Sequence, residues 1–405
     1  MFMKSDILKK IVSYIDTHAD EIIKIREKLH SNPELSLEEA ETKKFILSNI
    51  IGKKDIRIVE FEDTFGFWVD VACSADKSYS GFVALRADMD ALPIIEETGL
   101  PFCSKVNGKM HACGHDVHMT ALLGALLAAI DNLDDIKKNA NIGGLRFIFQ
   151  ASEEQSPGGA VKLIEKGVMD GVKMAFGLHV MPDIASGRAG IMEGPIMAAV
   201  DEFELELSGR GGHGAKPDAS DDLILLASEI VVSAQKIISR NISPFVPAVL
   251  SFCTMHGGAA SNVLPSRVNL SGTLRSLDEK TLAFLMARLE EILAAKCSEY
   301  GALYKIKFIK GYPVTVNDKA AMPFISRACV NVLGSENVLF EVQRSMGSED
   351  FAYYAKKVPS AFVFFGSGEA SGKSYPLHHP KFNVSDCDIL NAARIFAAII
   401  GEFIK

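Results

Sequence analysis

The sequence predicts an α/β protein, with a mostly parallel sheet in a larger domain and a smaller α+β domain inserted into it. In residues 1–195 and 312–405, short and continuously apolar segments alternate with helical patterns. Such alternation is typical of a parallel sheet whose two faces are both covered by helices. In residues 196–311 the pattern changes to half-exposed strands of antiparallel character. The length of 405 residues leaves room for two or three domains.

The larger domain begins with a helical pattern over residues 6–30, which we expect to end near Ser31-Asn32-Pro33. The apolar runs that follow have the length of buried strands, and helical patterns separate them. In chain order we predict a strand at 80–87, a helix at 116–130, strands at 145–150 and 175–180, a helix at 317–333, a strand at 361–365 and a helix at 385–404.

The inserted domain begins with a strictly alternating segment, residues 201–208, which reads Asp-Glu-Phe-Glu-Leu-Glu-Leu-Ser. Alternation of this kind indicates a strand with one buried and one exposed face. After it we predict a helix at 221–239, strands at 248–256 and 266–275, a helix at 277–299 and a strand at 304–310. Together these elements indicate an α+β domain.

Composition excludes several classes of function. The net charge of −8, without a basic run, disfavours binding to nucleic acid or to an anionic membrane. Residues 1–10 lack the apolar core of a signal peptide, and the apolar run 121–130 is too short to span a bilayer. Seven scattered cysteines do not form a disulfide framework. We therefore expect a cytoplasmic, soluble protein with reduced thiols.

The segment Met110–His118 is the most informative part of the chain, because it holds three histidines, a cysteine and an aspartate within nine residues. Cys113 and His115 are two residues apart, which suits two ligands of one transition metal at a turn that enters a helix. The helix N-terminus would also favour the thiolate of Cys113. We do not expect His111 or His118 to bind the metal directly; His118 lies one turn from His115 and can orient it.

Further polar groups follow the predicted buried strands. Glu153 and Glu154 come after the strand 145–150, His179 ends the strand 175–180, and Asp88 and Asp90 follow the first strand. Ligands of α/β sheets bind beyond the carboxyl ends of the strands. One glutamate could bind a metal while the other takes a proton from water, which is the basis of metal-assisted hydrolysis. The alternatives are a solvated acidic pair, a core histidine, and a turn or helix cap formed by the aspartates.

Other candidates lie farther along the chain. His378 and His379 sit between Pro376 and Pro380, in a stiff loop from which one of them could complete a metal site. In the inserted domain, the glycine-rich segment 209–215 carries His213 outside regular structure. Asn262 and Arg275 lie beside predicted strands, and the local sequence leaves open whether they are structural or bind substrate.

Taken together, these motifs resemble those of the M20 metallopeptidase family, in particular its amidohydrolase branch, which includes hippurate hydrolases, N-acyl-L-amino-acid amidohydrolases and auxin-conjugate hydrolases. The matching segments run in family order along nearly the whole chain. They are Arg86–Ile94, Met110–Asp116, Phe149–Glu154, Gly177–His179, Gly209–Ala215, Gly347–Phe351 and Leu377–Pro380.

The resemblance implies a site residue by residue. It implies two divalent metal ions, Zn²⁺ or Mn²⁺ with Co²⁺ or Ni²⁺ as substitutes, whose ligands correspond to Cys113, His115, Glu154, His179 and His378. It implies that Glu153 is the general base and that Asp88 orients the metal site. In the inserted domain, which resembles the family's lid and dimerisation domain, it implies that His213 steadies the oxyanion of a partner subunit. It also implies that Asn262 and Arg275 hold the substrate carboxylate.

The expected function is therefore metal-dependent hydrolysis of the amide bond of small N-acyl-L-amino acids, hippurate-like or N-acetylated, by a homodimer. Peptidase branches of the family have a histidine where this chain has Arg86. Smaller departures, at Ser152, Asp218 and Ser266, leave the acyl group and the amino acid open. One alternative is a metallo-dipeptidase or aminopeptidase that needs a free α-amine. The other is a non-catalytic metal-dependent binding protein.

Overall fold

Two structural units make up the chain, which we describe from a computed structural model covering residues 6–74, 81–369 and 374–404. The first unit comprises Met1–Gly194, Val316–Gln343 and Asp350–Lys405, and the second comprises Pro195–Thr315 and Arg344–Glu349. The sequence placed the boundaries at 195/196 and 311/312. It gave no indication that the short segment 344–349 groups with the inserted residues.

The regular elements of the described residues are numbered in chain order. The helices are α1 Asp6–Thr17, α2 Ala19–His30, α3 Ala40–Ser48, α4 His115–Asp131, α5 Leu133–Asn139, α6 Gly159–Glu165, α7 Leu223–Lys236, α8 Glu279–Tyr300, α9 Met322–Leu333, α10 Ala352–Ala355 and α11 Asp386–Gly401. The strands are β1 Ile56–Val59, β2 Phe67–Ala72, β3 Phe82–Asp88, β4 Gly144–Gln150, β5 Val172–Ala185, β6 Ala189–Gly190, β7 Gly194–Met197, β8 Ala199–Ser208, β9 Gly212–His213, β10 Ala248–Gly257, β11 Val263–Leu264, β12 Arg267–Ser276, β13 Leu303–Lys310, β14 Thr315–Asn317, β15 Val338–Leu339 and β16 Ser360–Gly368.

The first unit is built on an eight-stranded sheet in the order β1-β2-β4-β3-β5-β16-β6-β15. Its four central strands, β4, β3, β5 and β16, are mutually parallel, and antiparallel pairs occur only outside them. The predicted α/β class with a mostly parallel sheet is thereby confirmed. The predicted strand 80–87 corresponds to β3; position 80 lies outside the described residues.

Helix α4 shows how the apolar sequence fixes the packing of this unit. Of its 17 residues, 14 are buried, because it lies against β3 and against α11. Among the described residues no single helix has both the length and the apolar character to cross a membrane; α4 and α5 meet those criteria only as a pair bent by 76°.

Two predicted helices begin or end elsewhere than expected. The helix predicted at 6–30 is divided at His18 into α1 and α2. At this point the side chains of Thr17 and His18 both hydrogen-bond to carbonyls of the preceding turn, at 2.9 Å each. Such bonds compete with the regular helical hydrogen bonds. They do not change the spacing of the apolar residues, so the sequence pattern did not reveal the break. The helix predicted at 317–333 begins at Met322, and Pro323 lies in its first turn, where a proline is tolerated.

The second unit contains a four-stranded antiparallel sheet in the order β10-β12-β8-β13. Along β8, Phe203, Leu205 and Leu207 are buried and form a core with the apolar faces of α7 and α8. The alternation read from the sequence therefore predicts the buried face of this strand correctly.

Candidate metal centre and active site

The carboxyl ends of β3, β4 and β5 meet at one edge of the first unit's sheet. Asp88 ends β3 and is aligned with Gln150, which ends β4. Glu153 and Glu154 follow three and four residues after Gln150, and His179 lies within β5. The parallel order of the sheet therefore brings together polar groups that are far apart in sequence.

The turn before α4 places Cys113 and His115. Gly114 has φ +88°, in the left-handed region, and a Cβ at this position would lie 2.3 Å from Val180 Cγ2. Only glycine fits such a position without displacing β5. The turn starts α4 at His115 and leaves Cys113 Sγ 3.4 Å from Nε2 of His179.

Two histidines are held in the tautomer that metal ligands need. His179 Nδ1 donates to the carbonyl of Val180 at 2.7 Å, and His115 Nδ1 donates to the carbonyl of Asp90 at 2.9 Å. A carbonyl only accepts, so in the neutral form of each ring the lone pair is on Nε2. Nε2 of His115 lies 3.9 Å from Oε1 of Glu154, and Nε2 of His378 lies 3.4 Å from the same oxygen.

These side chains form overlapping groups whose donor atoms lie within 4.8 Å of one another. The groups are Cys113 with His115 and His179, Cys113 with Glu154 and His378, and His115 with Glu153 and Glu154. Within the described residues, two buried atoms that face this cluster, Nε2 of His115 and Oε1 of Glu154, have no hydrogen-bond partner. A buried donor set of thiol, imidazole and carboxylate with orphaned atoms fits divalent transition metals.

The electrostatics of the cluster favour a bound cation. Burial alone would lower the pKa of His115, but Asp88, Asp90 and Glu154 raise it to about 10. Burial, followed by the charges of Glu154, Glu153 and Asp88, raises the pKa of the Cys113 thiol well above its usual value. The expected effect of the α4 N-terminus on this thiol is therefore outweighed by burial and by the acidic neighbours. Without a metal, the negative charge of these acids keeps protons on Cys113 and His115. A bound metal would supply positive charge in place of those protons.

Both ring nitrogens of His118, for which the sequence suggested an orienting role, have hydrogen-bond partners. Its Nδ1 donates to Asp88 Oδ1 at 2.6 Å, and its Nε2 accepts the amide of Val180 at 3.0 Å. Both ring nitrogens are thus engaged, although the ring lies within ligand distance of Asp88 and His115. His111 is buried, and burial lowers its pKa to about 4, but it belongs to no candidate ligand group of the described residues.

Of the two histidines in the 376–380 loop, the structure brings His378 to the cluster. His379 instead stacks on Tyr375, with ring centroids 4.6 Å apart, and its Nδ1 accepts the amide of Lys381 at 3.0 Å. Oδ2 of Asp88 lies 3.7 Å from Nε2 of His115. The alternative for Asp88 was a role in a turn or a helix cap.

Several residues that support the site were not assigned a role from the sequence. Arg86 is buried and donates to Asp88 and Asp350 at 2.6 Å each, and to Gln150 at 3.0 Å. A buried arginine needs carboxylate partners, and this requirement was the signal available in the sequence. Asp116, in the first turn of α4, is bound by Arg26 and His30 of α2, at 2.8 Å each. The local sequence pattern gave no indication of these two contacts.

Of the three candidates of the second unit, His213 and Arg275 lie on strands and Asn262 lies in the turn that precedes β11. His213 in β9 pairs with Val263 in β11, and the amide of Gly214 donates to the carbonyl of Asn262 at 2.8 Å, so His213 and Asn262 are neighbours at one small antiparallel sheet. Both side chains are exposed. Arg275 lies on β12 and donates from Nη1 to the carbonyl of Met346 at 3.0 Å.

Comparison with known proteins gives the family. The model of Peptidase family M20/M25/M40 matches residues 84–402. The chain belongs to this family. The M20 chain is 38% identical over 379 residues to N-acetyl-L-cysteine deacetylase of Bacillus subtilis, covering 94% of the chain and 87% of the relative. It is 36% identical over 402 residues to thermostable carboxypeptidase 2 of Saccharolobus solfataricus, covering 98% of each. It is 36% identical over 392 residues to IAA-amino acid hydrolase ILR1-like 4 of Arabidopsis thaliana, covering 95% and 86%.

Two solved structures resemble the M20 chain over nearly its whole length. A protein described as an aminohydrolase, from methicillin-resistant Staphylococcus aureus, superposes with a TM-score of 0.88 at 33% identity and covers 98% of this chain and 100% of its own. The YXEP protein of Bacillus subtilis, described as a dinuclear metal-binding peptidase of the M20 family, superposes with a TM-score of 0.80 at 31% identity, covering 95% and 98%. Family, relatives and ligand groups support metal-dependent hydrolysis of amide bonds.

Proposed function

We propose that the protein hydrolyses the amide bond of N-acyl-L-amino acids and releases a carboxylate and a free amino acid. The observation that carries the proposal is the cluster in the first unit, where Glu153 lies beside the ligand groups that include Cys113, His115 and Glu154. The amidohydrolase motifs around Arg86 and Cys113 support the choice of branch.

The names of the relatives point to a shared chemical unit. Deacetylation of N-acetyl-cysteine, hydrolysis of an indoleacetyl amino acid, and removal of a residue by a carboxypeptidase all break the bond between an acyl carbon and the nitrogen of an amino acid. In each case the released amino acid has a free carboxylate. We propose the same unit for this chain, with a non-peptide acyl group.

Five residues would hold the metal ions, namely Cys113, His115, Glu154, His179 and His378. Two divalent ions would suit this set, as in the dinuclear relative, and Zn²⁺ or Mn²⁺ fit its mixture of thiolate, imidazole and carboxylate. When bound, such ions supply positive charge that acidifies water and polarises the amide carbonyl.

In the proposed reaction Glu153 is the general base. Its carboxylate takes a proton from water as the water oxygen attacks the acyl carbon, and it then delivers this proton to the amide nitrogen as the C–N bond breaks. Asp88, held by Arg86 and His118, would keep His115 in place. This sequence balances: one water is consumed, and one acid and one amine are formed.

For the second unit we propose the roles implied by the resemblance. His213 would stabilise the oxyanion, and Asn262 and Arg275 would bind the substrate carboxylate. We further propose a lid and dimerisation role for this unit. The mass of the protein in solution, measured by light scattering, tests the dimer.

The experiment that tests the function is amine release from a panel of substrates by metal-loaded protein, with a chelated sample as control. The panel contains N-acetyl, N-benzoyl and indoleacetyl amino acids, N-blocked peptides and free dipeptides. Chelator-sensitive release from N-acyl amino acids is the expected result.

The second candidate function is that of a carboxypeptidase, which is favoured by the identity to the two thermostable carboxypeptidases of Saccharolobus solfataricus, 36% and 37%. Faster cleavage of N-blocked peptides than of N-acyl amino acids would favour it. Cleavage of free dipeptides alone would instead indicate a dipeptidase or aminopeptidase. Absence of release from every substrate, with metal bound, would indicate a binding protein.

A further inference from the structure

Two buried carboxylates, those of Glu39 and Asp90, lie against the backbone on the two sides of Glu153. Oε1 of Glu39 accepts the amide of Ser152 at 2.7 Å. Oδ2 of Asp90 accepts the amide of Glu154 at 2.9 Å and the hydroxyl of Ser36 at 2.6 Å. The residues before and after Glu153 are therefore each fixed by a carboxylate from a different part of the chain.

The backbone at Ser152 needs such support. Its φ is +57°, in the left-handed region, which costs a residue other than glycine roughly 1–2 kcal/mol. The carbonyl of Ser152 accepts the amide of Gly159 at 2.9 Å, so its peptide groups are bonded on both sides. Gly159 can approach this closely only because it lacks a Cβ, which would lie 1.9 Å from the carbonyl oxygen of Ala151. This turn redirects the chain after β4 and aims the Glu153 side chain.

Glu39 is costly to the fold. It is fully buried, and among the described residues its Oε2 has no hydrogen-bond partner. Burial, with the neighbouring charge of Asp90, raises its pKa to about 7. An apolar residue of similar size would avoid this cost, so stability does not account for a carboxylate at this position.

We propose that Glu39 is a positioning residue for the hydrolytic reaction: its carboxylate holds Ser152 in the left-handed turn and so directs the carboxylate of Glu153. The inference rests on the proposed role of Glu153 as the base. Asp90 fixes the following amide, and Glu39 is the member of the pair that lies outside the metal-binding segments.

The test compares Glu39→Gln with Glu39→Met in the metal-loaded enzyme. Glutamine keeps an acceptor oxygen for the amide of Ser152, whereas methionine keeps the length and loses the acceptor. The matched control is Asp388→Leu, which removes another fully buried carboxylate that accepts one backbone amide, that of Gly187 at 2.9 Å. If Glu39→Met does not fold, Glu39→Asp, which withdraws the acceptor by one methylene, replaces it.

We expect Glu39→Met to lower kcat about 30- to 100-fold with little change in KM, since a displacement of about 1 Å can cost about 100-fold. Glu39→Gln should stay within about 3-fold of the parent, as rescue by a conservative change requires. Asp388→Leu should lose stability and keep kcat. Metal content should be equal in all of them.

A second readout does not depend on activity. Hydrogen exchange of the peptide spanning residues 151–155 in metal-free protein should speed up in Glu39→Met and remain slow in Glu39→Gln and Asp388→Leu. Faster exchange with unchanged kcat in Glu39→Met overturns the proposal. A kcat of Glu39→Gln as low as that of Glu39→Met also overturns it. So does a fall in kcat that is explained by loss of metal. If the parent releases no amine from any substrate, the proposed function fails, and unchanged exchange in Glu39→Met separately overturns the hold on Ser152.

Discussion

Cys113 Sγ lies 3.4 Å from Nε2 of His179, although 66 residues separate them in the chain. The thiol comes from the turn before α4 and the imidazole from β5, and Gly114 permits the contact because a side chain there would collide with Val180. This pair is the most direct evidence that the cysteine of the Met110–Asp116 motif faces the candidate metal site.

Replacing Cys113 with alanine should reduce the metal content of the purified protein, because it removes the sulfur shared by two of the candidate ligand groups. Elemental analysis after dialysis measures the effect. Cys329→Ala is the control, since Cys329 is also buried but lies in α9. Equal metal content in the two variants would remove Cys113 from the ligand set.

Glu153→Gln should retain metal and lose about 10²- to 10⁴-fold in kcat, because an amide can no longer take the proton from water. The measurement is amine release from the best N-acyl amino acid of the panel. A variant nearly as active as the parent would show that another group is the base.

Gly114→Ala should destabilise the turn that precedes α4, since the residue has φ +88° and the new Cβ would lie 2.3 Å from Val180. We expect the free energy of unfolding to fall by more than 1 kcal/mol. Metal binding should also weaken, because His115 directly follows the displaced residue. Urea unfolding and metal titration measure the two effects. Gly108→Ala, at φ +79° with open space around it, is the control that separates backbone strain from collision.

Arg86→Met should leave the buried carboxylates of Asp88 and Asp350 without their cation, at a cost of about 3–5 kcal/mol in unfolding free energy. The control Arg146→Met breaks another buried ion pair, with Asp70 at 2.7 Å, outside the candidate site. Both variants should lose stability when unfolded without metal, but only Arg86→Met should also bind metal more weakly. Equal metal affinity in both would limit Arg86 to a structural role.

The stability of the metal-free protein should depend on pH through Glu39. Its pKa is raised from 4.5 to about 7 in the folded protein, so the folded state binds more protons than the unfolded chain between these values. Stability therefore falls as pH rises through this window, by about 3 kcal/mol in total. Glu39→Gln removes this contribution, and it should gain stability relative to the parent from pH 5 to pH 8. A constant difference between the two unfolding curves would contradict the assignment.

The fold class and the set of candidate ligands could be predicted from the sequence, because apolar runs and the polar residues that follow them are local patterns. Apolar runs predicted β3, β4 and β5, and the polar residues that follow each run lie at one edge by the geometry of parallel sheets. The choice of His378 over His379 rested on the resemblance alone. In the structure His379 is stacked on Tyr375, and the metal content of variants at the two histidines remains the test of this choice.

What could not be predicted depends on contacts between distant segments. Glu39 reads as one acidic residue among several before α3, and only the folded chain shows its bond to Ser152. The left-handed backbone at Ser152 could not be predicted, because the residue in this conformation is not a glycine. Likewise, the association of 344–349 with the inserted unit involves no change in local pattern.

The order of the strands has a consequence for synthesis of the protein. Strand β16, residues 360–368, pairs with β5 on one side and with β6 on the other, so it fills the middle of the sheet although it is made near the end of the chain. While the ribosome translates the intervening residues, one edge of β5 has no partner, and unpaired apolar edges promote aggregation. Newly made chains should therefore need protection by a chaperone until Gly368 has emerged. Ribosome-bound fragments that end before β16 offer a way to measure that need.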